Sequence, residues 1–174
     1  MTVSDLNTSE YHNYYETYIS KVPKHLNLNA GYKLGAEQLI AFFNEIPKDK
    51  LEYRYAPGKW TIKEVLQHII DTERVFAYRC FRFARHDDTP LAGFEQDDYI
   101  LPSQANSKSI EALLEEYHVV RQNTMVLLNS FSRTDLEHVG SANASSMSAR
   151  AAAFIILGHE IHHMTVIEAL YLGS

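Results

Sequence analysis

Apolar residues recur at helical spacing in four long stretches of this chain, whereas alternation with a period of two is weak throughout. The stretches run from about 29 to 46, from 61 to 85, from 109 to 131, and from 146 or 148 almost to the end. Each pattern predicts an amphipathic helix. Together they predict an all-α fold, a four-helix bundle.

Local signals mark where these helices begin and end. Thr61 and Glu64 form a capping box, in which both side chains accept hydrogen bonds from backbone N–H groups at the helix start. Ser109 is a suitable N-cap for the third helix. Pro47 ends the first helix because proline cannot continue the hydrogen-bond ladder.

The connection between the second and third helices, residues 86–108, contains a glycine, two prolines and several acids, with no helical period. A loop that long is usually functional, or it crosses from one end of a bundle to the other. We therefore expect a long crossover between helices two and three that borders a pocket. No repeat or boundary is visible, so residues 1–174 are expected to form a single domain.

Composition narrows the classes of partner. A formal net charge of −6 without a lysine and arginine cluster argues against nucleic acid. Cys80, the single cysteine, excludes an internal disulfide and fits a reducing compartment. Neither a signal peptide nor a membrane span is recognisable. These features predict a cytoplasmic protein without membrane or nucleic-acid partners.

The fourth helix carries two histidines at the centre of its apolar stripe. At about 100° per residue, one face presents Ala152, Ile155, His159, His163, Val166 and Leu170. His159 and His163 are four residues apart, which places their Cβ atoms about 5–6 Å apart, close enough to share a metal ion. The alternative is a pair of core histidines that hydrogen-bond to carbonyls or hydroxyls, because burying unpartnered imidazoles is costly.

A third ligand must come from another helix, and His68 is the one histidine of the second helix. It lies on the shoulder of the apolar stripe. With His159 and His163 it completes a three-histidine set with one open side, the arrangement of catalytic zinc sites. His162 lies at the edge of the face and competes for the role. The remaining histidines are predicted to be surface residues: His12, His25, His86, His118 and His138.

The segment His159-Glu160-x-x-His163 also matches the zincin peptidase motif, in which the glutamate is the general base. That interpretation needs a ligand further along the chain, and few residues remain. Val166 and Ala169 occupy the glycine and histidine positions of the longer metzincin motif. We therefore disfavour a peptidase and leave Glu160, which points away from the stripe centre, without a role.

Two charged residues, Glu73 and Arg121, fall inside the apolar stripes of helices two and three. Neither is expected to be buried alone. We predict that they pair across the bundle and set the register of the two helices. The alternative is that Glu73 supports a ligand imidazole.

The opposite face of helix four is apolar as well, with Phe154, Leu157, Ile161 and Met164. A helix that is apolar all round packs on something additional. That partner is either the tyrosine-rich segment 5–18, expected to be a short helix over the bundle, or a second subunit. We predict a homodimer.

Three segments resemble one known family. The run from Tyr55 to Arg74, the segment from Pro90 to Phe94 and the segment from Gly158 to His163 are similar to those of the DinB-like superfamily, in its YfiT-like branch. The resemblance implies a bundle of up-down-down-up topology, often dimeric. It also implies a divalent metal, zinc or nickel, held by His68, His159 and His163.

The function implied by this resemblance is a metal-dependent enzyme, either a hydrolase or a thiol S-transferase that uses a low-molecular-weight thiol. In both cases the metal activates a thiol or water toward a small-molecule substrate. A non-catalytic metal-binding stress protein with the same fold is the alternative. Beyond the three ligands, no catalytic residue is assigned.

Overall fold

The structure is a computed structural model and describes residues 1–173. This part of the chain contains seven α-helices and one two-stranded hairpin. In chain order they are α1 (Glu16–Ile19), α2 (Leu28–Glu45), α3 (Ile62–Ala84), α4 (Asp97–Ser103), α5 (Ile110–Asn129), α6 (Arg133–Glu137), β1 (Val139–Ala142), β2 (Ser145–Ser148) and α7 (Ala149–Val166). A π-helical segment, Ile167–Leu172, extends α7. In residues 1–173, no helix combines the length and the apolar character needed to cross a membrane.

The four long helices α2, α3, α5 and α7 form the predicted bundle, and α3, α5 and α7 begin at the predicted residues. The Thr61 hydroxyl accepts from the backbone N–H of Glu64 at 3.1 Å, and the Glu64 carboxylate accepts from that of Thr61 at 2.7 Å. Ser109 caps α5 by accepting from the N–H of Ala112. The predicted capping box and the predicted cap of the third helix are therefore confirmed.

Packing divides the bundle interior into three layers. Helices α2 and α3 each pack against both α5 and α7. One apolar cluster includes Phe43 and Leu66, and the other includes Phe83 and Phe154. The third layer is polar and consists of buried polar and ionisable side chains of α3, α5 and α7; His68 and His159 belong to it, and the neighbouring His163 is half-buried.

The connections contain more structure than the sequence pattern indicated. The prediction of an irregular loop over 86–108 is wrong for Asp97–Ser103, which forms α4 with two aspartates in its first turn. Between α6 and α7 the chain forms the hairpin of β1 and β2, whose turn residues Asn143 and Ala144 have φ of 51° and 56°. Elements of four to seven residues are too short to show a clear hydrophobic period.

Residues 1–27, called the strap here, run over the outer face of α7. Phe154 and Leu157, on the second apolar face of α7, are 0% and 2% exposed. Gly158 lies against the backbone carbonyl of Tyr18, where a Cβ atom would overlap it. The strap is therefore the partner of this part of the face, and the homodimer stays a prediction.

An ion pair holds the strap to the start of α7. The Glu10 carboxylate accepts from the Arg150 guanidinium at 2.6 Å and from the Ser148 hydroxyl at 2.7 Å. Burial raises the pKa of Glu10, but these hydrogen bonds and one from the Asn7 backbone outweigh it and lower the pKa to about 2.

Gly158→Ala is expected to displace the strap, because the backbone carbonyl of Tyr18 cannot rotate away from the added methyl group. We expect a loss of about 1–3 kcal/mol in the free energy of unfolding, measured in urea. Gly31→Ala in α2 is the matched control, since its methyl group would meet only side-chain atoms of Leu157 and Leu26. Equal stability of the two variants would contradict the tight packing of the strap.

The Glu10 ion pair is expected to make stability depend on pH. The pKa of Glu10 in the folded protein lies below its usual value near 4.5. The contribution of Glu10 to the free energy of unfolding is therefore complete above about pH 4.5 and is lost as the pH falls toward about 2. Urea unfolding across this range checks the expectation: Glu10→Gln should be less stable than wild type at neutral pH, and the difference should shrink with acidification. A difference that stays constant with pH would argue against the pair.

Candidate metal centre

Three imidazoles converge in the polar layer of the bundle. The Nε2 atom of His159 lies 2.9 Å from that of His68 and 3.1 Å from that of His163. Within residues 1–173, they form the one group of three or more histidine, cysteine or acidic side chains whose ligand atoms all lie within 4.8 Å of one another. The structure thus brings together the three residues that the spacing singled out.

Two adjacent helices position these rings. His68 lies in the second turn of α3 after its Thr61 cap, and His159 and His163 lie one turn apart on α7. The Trp60 ring packs 4.7 Å from the ring of His68, and the Tyr18 ring packs 5.1 Å from that of His159. The strap therefore supports a ring of the cluster directly.

Burial keeps the three imidazoles uncharged. His68 and His159 are each 4% exposed. Burial, with a smaller effect of His162, lowers the pKa of His68 to about 4. Burial, with the neighbouring histidines as the second cause, also lowers the pKa of His159 and of His163 well below the usual value. Neutral imidazole is the form that binds a metal ion.

The spacing of the ring nitrogens fits a small divalent cation. Tetrahedral zinc with bonds of 2.0–2.1 Å separates two ligand nitrogens by about 3.3 Å, a few tenths of an ångström more than the two separations found. Without a cation, His159 Nε2 faces two other ring nitrogens, and its single lone pair or proton cannot satisfy both. The donor set is therefore compatible with a divalent metal.

The sequence matches the model of the DinB superfamily over residues 32–167, most of the chain. The chain belongs to the DinB superfamily. The resemblance stated from the three segments is thereby confirmed, and the matched part contains all three histidines of the cluster. No curated protein matches the chain.

Solved DinB-like structures share the bundle at low sequence identity. YfiT from Bacillus subtilis, described as a probable metal-dependent hydrolase with an unusual four-helix bundle topology, aligns with a TM-score of 0.72 and 14% identity over 85% of this chain and 90% of that one. The DinB-like protein YjoA from Bacillus subtilis aligns with a TM-score of 0.60 and 15% identity, over 84% of this chain and 92% of that one. At these identities the similarity shows the fold.

A third structure is larger than this DinB-superfamily chain. The mycothiol-dependent maleylpyruvate isomerase aligns with a TM-score of 0.67 and 12% identity. The alignment covers 95% of this chain but 62% of the isomerase. The two proteins therefore share the bundle, and the isomerase has a substantial further part.

A buried ionic network joins the helices that carry the cluster. Arg121 of α5 is 0% exposed, and its Nη2 atom donates to Glu73 of α3 at 2.8 Å and to Glu160 of α7 at 2.6 Å. The predicted pair of Glu73 and Arg121 is confirmed. Because Glu160 directly follows His159 in the chain, the network ties the register of α3 and α5 to the face of α7 that carries His159 and His163.

Glu160 is the member that the sequence interpretation missed. Its two carboxylate oxygens accept from Arg121, and the Tyr117 hydroxyl donates to one of them at 3.0 Å. Burial raises the pKa of Glu160, and the Arg121 guanidinium opposes the rise. The available signal was a glutamate in a helix that is apolar on all sides, because such a residue needs a buried partner. The sequence did not identify that partner, Arg121, because it lies 39 residues away in the chain.

The remaining histidines lie outside the cluster. The His162 ring is 5.0 Å from that of His163 but supplies no atom to the group of three. Four of the five predicted surface histidines are exposed: His12, His25, His86 and His118. The prediction is wrong for His138, which is half-buried because its ring stacks on that of His86 at 4.5 Å.

A cavity of about 470 Å³ opens beside His159. The strap, α3, the hairpin and α7 contribute to its walls. The connection 86–108, which was expected to border a pocket, contributes Phe94, Glu95 and Gln96. The cluster therefore has a neighbouring space in which a small molecule fits.

Arg121→Met is expected to destabilise the bundle strongly, because it leaves two buried carboxylates without their cation. A loss of about 3–5 kcal/mol in the free energy of unfolding is typical of such a change. Arg133→Met is the control, since Arg133 also contacts two acidic residues but is 62% exposed; exposed pairs contribute about 1 kcal/mol or less. Urea unfolding measures both, and similar losses would refute the importance of the buried network.

Proposed function

We propose that this DinB-superfamily chain is a metal-dependent enzyme in which His68, His159 and His163 hold a divalent cation, zinc or nickel. The observation that carries the proposal is the convergence of three uncharged imidazoles from two helices, two of them buried, with the ring of His159 at the wall of a cavity. A closed structural zinc site uses four protein ligands, whereas three ligands beside an open space are typical of catalytic sites.

The chemistry follows from the charge of the ligand set. Three neutral imidazoles leave a bound divalent cation its full charge, which lowers the pKa of a water molecule or thiol at the remaining position. The protein's own part is to fix the rings, through the packing of Trp60 and Tyr18 and through the network of Arg121. His68 and His159 are each 4% exposed, so bulk water has little access to these two rings.

Glu160 is unsuited to the role of general base that the zincin motif would give it. Its carboxylate is buried and engaged by Arg121 and Tyr117, so it has no free oxygen directed to a substrate. This arrangement supports the earlier preference against a peptidase. We assign Glu160 a positioning role for α7.

Two reaction classes fit the site. Hydrolysis by activated water is supported by the description of YfiT, and transfer of a thiol by the thiol dependence of the maleylpyruvate isomerase. A non-catalytic metal-binding protein is the competing function. The cavity at His159 favours an enzyme acting on a small molecule, because a storage or structural site needs no such space.

Metal binding is tested with zinc and nickel alone, by competition against a chromogenic chelator. His159→Ala is expected to weaken binding by more than about 100-fold, beyond the loss caused by removing an outer-shell partner. His162→Ala is the matched control, because His162 is three residues further along the same helix and lies outside the cluster. Equal affinities of wild type and His159→Ala would exclude this ligand set.

Catalysis is tested with the metal-loaded protein in two assays: conjugation of N-acetylcysteine to monochlorobimane, and hydrolysis of 4-nitrophenyl acetate. Activity in at least one assay is expected for wild type and His162→Ala, with loss in His159→Ala. Tight metal binding with equal background rates in all three proteins would instead favour the non-catalytic function.

A further inference from the structure

The cavity beside His159 has a distinctly aromatic wall. Its lining includes Tyr14, Tyr15 and Tyr18 from the strap, Phe76 from α3 and Phe94 from the connection. Tyr15 packs edge-on against Phe76 with 5.6 Å between ring centroids, and Tyr18 packs edge-on against the His159 ring. Rings held in this way present faces and edges on which another ring can stack.

The cavity has little charge away from the metal cluster. No lysine or arginine is among its lining residues within the described part of the chain, and Glu95 is the one carboxylate. Arg79 stacks its guanidinium on the Phe76 and Phe94 rings, which line the cavity, and donates to the Ala92 carbonyl. A phosphate or sulfonate on the body of a ligand would therefore find no cation at this end.

Thr72 supplies a buried polar group that is not used by the fold. It lies one helical turn after His68 and lines the same cavity as His159. Its hydroxyl oxygen is buried and has no hydrogen-bond partner in residues 1–173. An unpaired buried hydroxyl is costly, and threonine in a helix has two favourable rotamers, so this hydroxyl can turn toward a bound molecule.

The aromatic strap also lies outside the region shared with the superfamily. The family model matches residues 32–167, whereas the three cavity tyrosines lie at 14, 15 and 18. The histidine cluster and part of the wall, including Phe76 and Phe94, therefore lie within the matched region, and the tyrosines of the wall lie outside it.

We propose that this cavity binds the body of a small, uncharged aromatic substrate, with its ring among the tyrosine and phenylalanine side chains and a polar substituent hydrogen-bonded to Thr72. The inference rests on the proposed function for the reactive end of the substrate, which would face the histidine cluster. Binding of the aromatic body does not require turnover, so it is measured separately.

The experiment compares three probes by ligand-observed NMR titration of the full chain. Benzamide is uncharged and aromatic, cyclohexanecarboxamide has the same amide on a saturated ring, and benzenesulfonate has the same ring with a charge. Benzamide is expected to bind about fivefold more tightly than cyclohexanecarboxamide, because of ring stacking. It is expected to bind at least about tenfold more tightly than benzenesulfonate, which would be desolvated without a counter-charge.

Thr72→Val locates the site. It should weaken benzamide binding about five- to tenfold by removing one hydrogen bond, and Thr72→Ser should restore it. Thr124→Val is the matched control, since Thr124 is equally buried but its hydroxyl donates to the Val120 carbonyl of its own helix. Urea unfolding shows whether each variant is folded; Thr72→Val should keep wild-type stability because the hydroxyl has no protein partner.

Three results would overturn the proposal: benzenesulfonate or cyclohexanecarboxamide binding as tightly as benzamide, no binding of any probe, or unchanged benzamide affinity in Thr72→Val. The zinc affinity of the same samples shows whether the cavity proposal or the proposed metal centre has failed. Normal zinc binding without benzamide binding rejects the cavity assignment alone, and benzamide binding without zinc binding rejects the metal centre.

Discussion

The constraint on which the site depends is the burial of one guanidinium. Arg121 is completely enclosed, so its charge requires partners at hydrogen-bond distance, and it finds one carboxylate on α3 and another on α7. Such networks contribute less to net stability than their short distances suggest, because desolvation offsets the attraction. Their main effect is to favour one register of the helices, because any shifted register would leave a charge buried without a partner. Glu73 follows His68 by five residues and Glu160 follows His159 directly, so the same register brings the ring nitrogens of the imidazoles together.

Burial has opposite effects on the network of Arg121 and on the three clustered histidines. The network of Arg121 remains charged because its members compensate one another, whereas the three histidines have no acidic partner within their cluster and become neutral. Neutral rings with converging nitrogens form a site for a cation rather than for an anion. The bundle thus supplies a prepared donor set, and the compensating charges lie next to it, on the same helices.

The cavity depends on a different part of the architecture. Part of its wall comes from α3 and α7, and the rest comes from the strap, the connection after α3 and the hairpin before α7, which lie outside the long helices. The connection and the hairpin are joined by backbone hydrogen bonds between Leu91 and both Ser141 and Asn143. The bundle therefore carries the histidine cluster and one side of the cavity, and the connecting segments complete the space beside the cluster.

The sequence by itself determined the features that depend on neighbours along the chain. Helical spacing and caps located the four long helices, and the same spacing identified His159 and His163, His68, and the misplaced charges Glu73 and Arg121. Tertiary structure alone decided the role of Glu160, the strap as the cover of α7, and the isolation of the Thr72 hydroxyl. It also decided the short elements between the long helices, which are α4, α6 and the hairpin of β1 and β2. These features depend on which distant segments meet, and a local hydrophobic pattern records that a face is buried but not which segment buries it.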